Sequence, residues 1–209
     1  EMTDHIVVIG SNSFSGAHFV SRALDQGFQV SGVSRSQEPD PVFLPYKWDG
    51  HKNKTGFSFY PYDLNHDLDQ ICSLVEDNQA GYVVNFASQS MVGQSWEIPE
   101  HWFMTNTVST IKLHDRLRQF PFLKKYVHIS TPEVYGANES LIIENENYSP
   151  STPYAVSRAA ADMSLKTFFD NYGFPVIFTR AANVYGPGQQ LYRIIPRAVL
   201  YFRLGKMLQ

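Results

Sequence analysis

Cysteine is almost absent from this sequence. Only Cys72 is present, so the chain can form neither an internal disulfide nor a cysteine-cluster metal site, and it suits a reducing compartment. The sequence also lacks a signal-peptide pattern and any run of about 18 apolar residues, which a transmembrane helix would need. We therefore expect a cytoplasmic protein with no metal site and no membrane partner.

Charge of either sign is modest as well. The 17 Lys and Arg residues nearly balance the 20 Asp and Glu residues, which leaves a formal net charge of -3. This balance gives no electrostatic reason to expect binding to nucleic acid or to an anionic membrane. Hydrophobic residues make up 43% and charged residues 18% of the 209-residue chain. Such a composition is typical of a globular protein with one domain, or one domain and part of a second.

Apolar stretches alternate along the chain with segments of helical periodicity. Residues 6–9 form an apolar run that ends at Gly10, and a helix is predicted from Ser15 or Gly16 to Gln26, with Gly27 as its stop. Five further strands are predicted at residues 29–34, 57–62, 82–86, 125–129 and 175–180. This alternation predicts the α/β class, with a Rossmann-type doubly wound parallel sheet and helices on both faces.

Three more helices are predicted between these strands. One lies at residues 68–75, a second covers residues 100–120, and a third begins near Tyr154. Their apolar sides are Leu68, Ile71, Leu74 and Val75; then Met104, Val108 and Ile111; then Leu165, Phe168, Phe169 and Tyr172, the last set expected to pack inward. Residues 37–56 show no clear period and contain three prolines, which predicts a loop.

The first feature with chemical meaning is the turn from Gly10 to Gly16, between the first strand and the first helix. Glycines in such a turn let the backbone approach a pyrophosphate, and the positive end of the helix attracts its charge. The alternative is a tight turn that needs no ligand. Ser13 stands where a glycine is usual, although a small side chain can fit there. We predict that this turn binds a dinucleotide.

The end of the second strand bears on the choice of dinucleotide. An acidic residue there normally binds the adenosine ribose of NAD, and an arginine can accept the 2′-phosphate of NADP. The sequence has Ser34, Arg35 and Ser36 at this place, so NADP is an alternative to NAD unless Arg35 is a solvated surface residue. Asp63, after the third strand, could bind the adenine amino group or could cap the coming turn.

Two motifs follow the fifth strand. Residues 130–136 contain Thr131 and Glu133, a hydroxyl and a carboxylate at the carboxyl end of a parallel strand, where open α/β sheets bind ligands. Tyr154 and Arg158 are four residues apart on a helix and share one face, so Arg158 can stabilise a tyrosinate. Each motif alone is more often structural. Their order, beside a dinucleotide turn, favours a catalytic site.

These motifs resemble those of the extended short-chain dehydrogenase/reductases, and within them the nucleotide-sugar 4,6-dehydratases such as the dTDP-glucose enzymes. The resemblance extends over nearly the whole chain. It includes residues 85–90 (NFASQS), Thr105 and Asn106, the segment with Thr131 and Glu133, Tyr154, and residues 180–187 (RAANVYGP). It implies a homodimeric enzyme that acts on a nucleotide sugar, with NAD as the expected cofactor and NADP as the alternative.

The resemblance also implies roles for individual residues. Tyr154, paired with Arg158, would be the base that begins oxidation at C4 of the sugar, and Thr131 would hydrogen-bond the developing ketone. Glu133 would remove the C5 proton, and Asn106 would support the active-site helix. Cofactor contacts are implied for Gly10, Ser13, Phe14, Gly16, Arg35, Asp63, Leu64, Ala87, Ser88, Tyr154 and Arg158. Substrate contacts are implied for Gln89, Ser90 and Asn183.

Two positions depart from the dTDP-glucose pattern. Pro132 stands where those enzymes have an aspartate that protonates the leaving hydroxyl, although GDP-mannose dehydratases also lack that aspartate. Arg158 stands where a lysine is usual, and arginine differs in shape and cannot release its proton. Two alternatives therefore stay open. Pro132 favours a sugar-nucleotide epimerase or decarboxylase on the same scaffold, and Arg158 favours a non-catalytic dinucleotide-binding protein.

The expected domain organisation follows from the same comparison of motifs. Residues 1–186 form the predicted dinucleotide-binding and catalytic domain, and residues 187–209 begin a small C-terminal substrate-binding region. Members of the resembled family continue for about another domain, on the order of 100 residues. We therefore expect the chain to be a fragment or to lack a full substrate domain.

Overall fold

A parallel sheet forms the centre of the chain, of which the computed structural model describes residues 4–48, 54–137 and 141–208. Its six strands are β1 (His5–Ile9), β2 (Gln29–Val33), β3 (Phe57–Tyr60), β4 (Tyr82–Asn85), β5 (Lys125–Ile129) and β6 (Val176–Thr179). Their order is β3-β2-β1-β4-β5-β6. The order reverses between β1 and β4, which confirms the Rossmann-type doubly wound sheet.

Helices cover both faces of this sheet. They are α1 (Phe14–Asp25), α2 (Leu68–Asp77), α3 (Pro99–Phe103), α4 (Thr110–Leu117), α5 (Pro153–Tyr172) and α6 (Ile194–Arg203). Alternate residues of β1 face opposite sides, as the period of a strand requires. Ile6 and Val8 pack with α1, whereas Val7 and Ile9 pack with α2, α4 and α5. The sheet therefore has a hydrophobic core on each face.

The predicted strands agree with the observed strands to within two residues at either end, because buried apolar runs fix their positions. Helix α1 begins at Phe14, one residue before the predicted start, since the Ser13 hydroxyl caps it by accepting a hydrogen bond from the Gly16 N–H. The predicted loop at residues 37–56 contains short 3₁₀ helices at Pro41–Phe43, Pro45–Lys47 and Lys54–Gly56. Its residues 49–53 lie outside the described residues.

The helix predicted over residues 100–120 is interrupted. A π-helical segment, Met104–Ser109, lies between α3 and α4, and the predicted apolar side is wrong because Met104 and Val108 are exposed. The buried positions of this segment are the polar residues Asn106 and Ser109. Periodicity of apolar residues could not locate this inner face, since hydrogen-bonded side chains occupy it.

Helix α5 shows the same difficulty. Leu165 is buried and Phe168 packs against the core, but Phe169 and Tyr172 are exposed, so the predicted inward face is half wrong. The buried face of α5 instead includes Arg158 and Asp162. Charged residues on this face shift the apolar pattern away from the true inner side.

The C-terminal helix α6 has no buried residue in the described part of the chain. The division of the chain after residue 186 remains a prediction. No helix among the described residues combines the length and the apolar character that a membrane crossing requires.

Candidate functional site

A cavity of about 240 Å³ lies at the carboxyl ends of β1, β2 and β4, where the strand order reverses. Open α/β sheets bind ligands at this kind of position. Its walls include eight residues that the sequence assigned to a cofactor or substrate: Gly10, Ser13, Arg35, Asp63, Leu64, Ala87, Ser88 and Gln89. It also includes residues that the sequence analysis assigned no role, namely Ile9, Asn12, Ser34, Ser36, Tyr62, Asn65, Phe86 and Thr105.

The glycines of the turn are required by the backbone itself. Gly10 has φ +84°, and a Cβ there would lie 2.6 Å from the backbone nitrogen of Ala87. A Cβ on Gly16 would overlap the Gly10 carbonyl oxygen. Both positions therefore need glycine with or without a ligand, because the added atom would meet backbone.

The amino end of α1 offers hydrogen-bond donors beside the cavity. The Ser13 hydroxyl donates to the Gly10 carbonyl oxygen at 2.7 Å while it accepts from Gly16, so it closes the turn in place of the usual glycine. The backbone N–H groups of Phe14 and Ser15 have no acceptor within residues 4–48, 54–137 and 141–208. Free N–H groups at the positive end of a helix can bind an anion such as a pyrophosphate. Neither Phe14 nor Gly16 is part of the cavity wall.

Asn12 ties this turn to the end of β2. Its backbone N–H donates to the Ser34 hydroxyl at 3.0 Å, and its side-chain amide donates to the carbonyl oxygens of Ser36 and Gln37, each at 3.0 Å. Arg35 lies between these anchored residues, exposed, on the cavity wall. Of the three cavity-lining residues Ser34, Arg35 and Ser36, Arg35 therefore brings a cation to this end of the cavity. Asn12 was visible in the turn sequence, but only the structure reveals its partners.

Asp63 caps the local turn, and its predicted contact with adenine stays a prediction. It lines the cavity, and one carboxylate oxygen accepts from the Asn65 N–H at 2.7 Å, so it also caps the local turn. The Asn65 side chain in turn donates to the Thr105 hydroxyl at 3.1 Å. The loop after β3 is thereby joined to the π-helical segment across the cavity.

Asn106 connects the cavity wall to α5. Its side chain is fully buried, accepts from the Gln89 N–H at 2.8 Å, and donates to the Gln89 carbonyl oxygen at 2.9 Å and the Ser157 hydroxyl at 3.0 Å. The Ser157 hydroxyl donates to the Tyr154 carbonyl oxygen at 2.7 Å. Asn106 thus holds the first turn of α5, as the resemblance implied. It belongs to a π-helical segment, a feature frequent at functional sites.

The four catalytic candidates lie outside the cavity wall. Thr131 is buried and caps a 3₁₀ helix, Pro132–Tyr135, where its hydroxyl accepts from the Glu133 N–H at 3.3 Å. The Glu133 side chain is exposed, and its carboxylate makes no hydrogen bond or ion pair with the described residues. Tyr154 and Arg158 are both buried on α5. The substrate candidates Ser90 and Asn183 are exposed and also lie outside the cavity wall.

Arg158 is a buried cation with an incomplete set of partners. Its Nε atom has no hydrogen bond, and Arg158 has no ion pair within the described ranges. Burial, followed by the charges of His128 and Arg158, lowers the pKa of His114 well below its usual value. Burial also lowers the pKa of His128, although neighbouring Asp162 opposes the shift. A buried charge without a partner is costly, so the Arg158 guanidinium can still bind an acceptor.

Asp162 follows Arg158 by four residues on α5. It is fully buried, and one of its carboxylate oxygens accepts from the Ser130 hydroxyl at 2.7 Å and from Arg180. Burial raises the pKa of Asp162, but His128, Ser130 and Arg180 together outweigh that effect, so the net pKa is lowered. The sequence analysis assigned Asp162 no role. The sequence could have indicated it, because an acid stands four residues after Arg158 and therefore on the same face of α5.

Comparison with protein families places these features in context. The family model described as GDP-mannose 4,6 dehydratase matches residues 7–209. A dTDP-glucose 4,6-dehydratase of Xanthomonas campestris pv. campestris (strain B100) is 29% identical over 203 residues, which cover 92% of this chain and 57% of that protein. The chain therefore spans a little over half the length of this relative.

Solved structures of two kinds of enzyme are similar to this chain. The dTDP-glucose 4,6-dehydratase DesIV from Streptomyces venezuelae, with NAD bound, has a TM-score of 0.82 and 26% identity over 98% of this chain and 63% of its own. A UDP-N-acetylglucosamine 4-epimerase from Methanobrevibacter ruminantium M1 has a TM-score of 0.83 and 25% identity over 98% of this chain and 64% of its own. Fold similarity therefore does not separate a dehydratase from an epimerase.

Proposed function

The chain belongs to the GDP-mannose 4,6-dehydratase family of extended short-chain dehydrogenase/reductases, and on this premise we propose that it carries the cofactor-binding and catalytic part of an NAD-dependent nucleotide-sugar 4,6-dehydratase. The observation that carries the proposal is Glu133. Its carboxylate is exposed directly after the Thr131 cap at the end of β5 and is free of partners among the described residues. A 4,6-dehydratase needs such a second acid–base group in addition to the tyrosine, and a simple 4-epimerase does not.

The residues around the cavity fit a dinucleotide. The free N–H groups of Phe14 and Ser15 would bind its pyrophosphate. The end of the cavity at Arg35 would bind its adenosine, and buried Arg158 would bind its nicotinamide ribose. When bound, NAD supplies a hydride acceptor that later returns the hydride to the sugar. We favour NAD over NADP because the related dTDP-glucose enzyme from Streptomyces venezuelae was solved with NAD.

Competition between the two dinucleotides tests the cofactor. Calorimetric titration should give tighter binding of NAD than of NADP, and Arg35→Ala should weaken NADP more than NAD, since only NADP brings a 2′-phosphate to that side chain. His18→Ala, outside the cavity wall, is the control variant. Tighter binding of NADP that depends on Arg35 would replace NAD as the proposed cofactor.

The first half of the reaction would depend on Tyr154 and Thr131. Tyr154, four residues before Arg158 on α5, would act as the base that removes the proton of the C4 hydroxyl as C4 is oxidised to a ketone. Thr131 can then donate its O–H to the ketone oxygen, because its hydroxyl oxygen already accepts from the Glu133 N–H and so leaves its proton free. The ketone makes the neighbouring C5 proton acidic.

The second half would depend on Glu133. The carboxylate removes the C5 proton and then returns that proton to the C6 hydroxyl, which leaves as water. Return of the hydride to C6, together with uptake of a solvent proton at C5, would complete a 4-keto-6-deoxy sugar. Because Pro132 has no acidic group, Glu133 serves as both base and acid in this proposal.

A sugar-nucleotide epimerase is the second candidate. Pro132 favours it, since the aspartate of the dTDP-glucose enzymes is missing, and the similar fold of the Methanobrevibacter ruminantium 4-epimerase fits it equally well. In that case Tyr154 would still be the base that begins oxidation at C4, but Glu133 would have no chemical role.

Product analysis with a panel of sugar nucleotides tests the proposal. The full-length protein should convert one member to a 4-keto-6-deoxy product. A product with inverted configuration at C4, or one shortened by decarboxylation, would favour the second candidate. Dinucleotide binding without any product over the whole panel would favour the non-catalytic alternative.

We also propose that the protein is a homodimer. The side chains of Met104 (48%), Val108 (39%) and Met163 (58%) are exposed on the π-helical segment and α5, two elements that pack against each other. Apolar side chains grouped in this way often mark an interface. Met163→Glu should give monomers by sedimentation equilibrium with unchanged circular dichroism, whereas Leu141→Glu, at the 97% exposed Leu141, should not. A dimer that survives Met163→Glu would move the interface elsewhere.

A further inference from the structure

Arg180, directly after β6, joins three parts of the chain. Its Nη2 and Nε atoms donate to one Asp162 carboxylate oxygen at 2.9 and 3.3 Å. Its Nη1 atom donates to the Tyr135 hydroxyl at 2.9 Å, and Nη2 also donates to the Tyr148 hydroxyl at 2.6 Å. The Arg180 side chain is only 12% exposed. The guanidinium therefore connects α5 with the segment after β5 and with the loop that precedes α5.

Aromatic rings fix the orientation of this guanidinium. Its central carbon lies 5.2 Å from the centre of the Tyr135 ring, 5.3 Å from that of Tyr148 and 5.4 Å from that of Phe178. These distances allow cation–π attraction. The planar fork of arginine can satisfy the carboxylate and both hydroxyls at once, which the single ammonium group of a lysine cannot do with the same geometry.

Tyr135 belongs to the same short 3₁₀ helix as Glu133. Besides accepting from Arg180, the Tyr135 hydroxyl accepts from the Asn145 N–H and donates to the Asn145 carbonyl oxygen, both at 3.2 Å. Just past this helix, Gly136 has φ +76°, and a Cβ there would overlap the Ser149 carbonyl oxygen. The backbone that carries Glu133 is thus fixed from the side of Arg180 and of the loop before α5.

Tyr154 has separate support. The Ser157 hydroxyl donates to the Tyr154 carbonyl oxygen, and Asn106 and Thr107 bond to Ser157 at 3.0 and 2.8 Å. Among the described residues, the hydrogen bonds of Arg180 to α5 all go to Asp162, two turns beyond Tyr154. We propose that Arg180, acting through Tyr135, is a positioning residue that fixes Glu133 for proton removal at C5 and has little influence on oxidation by Tyr154. This inference rests on the proposed function.

Tyr135→Phe in the full-length protein tests the inference. The variant keeps the ring beside Arg180 but removes the hydroxyl that Nη1 contacts. With the sugar nucleotide that the wild type turns over, loss of the C5 proton to deuterated solvent should slow by roughly 10- to 100-fold, since a misplacement of about 1 Å has effects of this size. The initial rise in reduced-nicotinamide absorbance should change by less than about 3-fold. Tyr172→Phe, an exposed tyrosine on α5 outside this cluster, should change neither rate.

Hydrogen exchange without substrate provides a second readout. Amides of residues 131–136 should exchange faster in Tyr135→Phe and in Arg180→Lys, whereas amides of residues 154–158 should keep their protection. Equal slowing of oxidation and C5 exchange, or equal loss of protection in both segments, would overturn the positioning role. So would normal C5 exchange in both variants while Glu133→Gln abolishes it. Normal C5 exchange in Glu133→Gln itself would instead overturn the proposed function.

Discussion

Different kinds of contact hold in place the predicted dinucleotide turn, residues 10–16, and the predicted catalytic segment, residues 130–136. The turn depends on backbone packing between neighbours in sequence and in the sheet, with Gly10 against Ala87 and Gly16 against the Gly10 carbonyl. The catalytic segment depends on side chains far apart in sequence, with Ser130 and Arg180 on the Asp162 carboxylate. The turn therefore tolerates almost no added atom, whereas the segment after β5 depends on individual polar groups.

The largest effect is expected where the turn is tightest. Gly10→Ala should lower the free energy of unfolding by roughly 4 kcal/mol, because it adds backbone strain at positive φ and an atom inside van der Waals contact. Gly27 is the matched control, since it also has positive φ (+88°) but has nothing within 4 Å of an added Cβ. Gly27→Ala should cost only about 1 kcal/mol.

Urea unfolding of the two variants measures this difference. Equal destabilisation would show that positive φ alone, and not contact with Ala87, makes glycine necessary at position 10.

A substitution at Asn106 tests whether the cavity wall and α5 are coupled. Replacing it with Ala leaves the Gln89 backbone groups and the Ser157 hydroxyl without their buried partner, which should cost about 2–3 kcal/mol. Exposed Lys112 on α4 gives the control, and Lys112→Ala should change stability by less than about 0.5 kcal/mol. Urea unfolding measures both. A small effect of Asn106→Ala would mean that the cavity wall and α5 are not coupled through this side chain.

A smaller effect on the free energy of unfolding is expected from pH, because two buried histidines lie in the core beside α5. The pKa values of His114 and His128 are lowered in the folded state, chiefly by burial, so the unfolded chain takes up protons first as the pH falls. Stability should be fully present above pH about 6.5 and decrease below it, by at most about 1.4 kcal/mol per pH unit for each histidine.

His114→Gln should flatten this slope in urea unfolding between pH 7.5 and 5.5. The exposed His101→Gln is the control and should leave the slope as in the wild type. An unchanged slope in His114→Gln would show that burial of this ring does not contribute to acid sensitivity.

The same comparison explains what the sequence could predict. Local patterns predict the strands, the turn, and the cavity residues Gly10 and Asp63, because a buried parallel strand ending in a glycine-rich turn has few alternatives. Ala87 followed only from the resemblance to a family. The inner faces around Asn106 and Asp162 do not follow, since polar residues there are satisfied by partners 17 to 51 residues away. Apolar periodicity therefore predicted outward-facing Met104 and Phe169 as core side chains.

The central claim is that Tyr154 and Glu133 act in successive steps of one reaction, and rapid mixing of substrate with the NAD-loaded variants tests it most directly. Tyr154→Phe should lose the initial rise in reduced-nicotinamide absorbance, with turnover lowered by about 10²–10⁴-fold. Glu133→Gln should keep that rise, accumulate a 4-keto sugar and lose exchange of the C5 proton with solvent. Normal turnover in Glu133→Gln would contradict the claim and make the glutamate a structural residue of an epimerase.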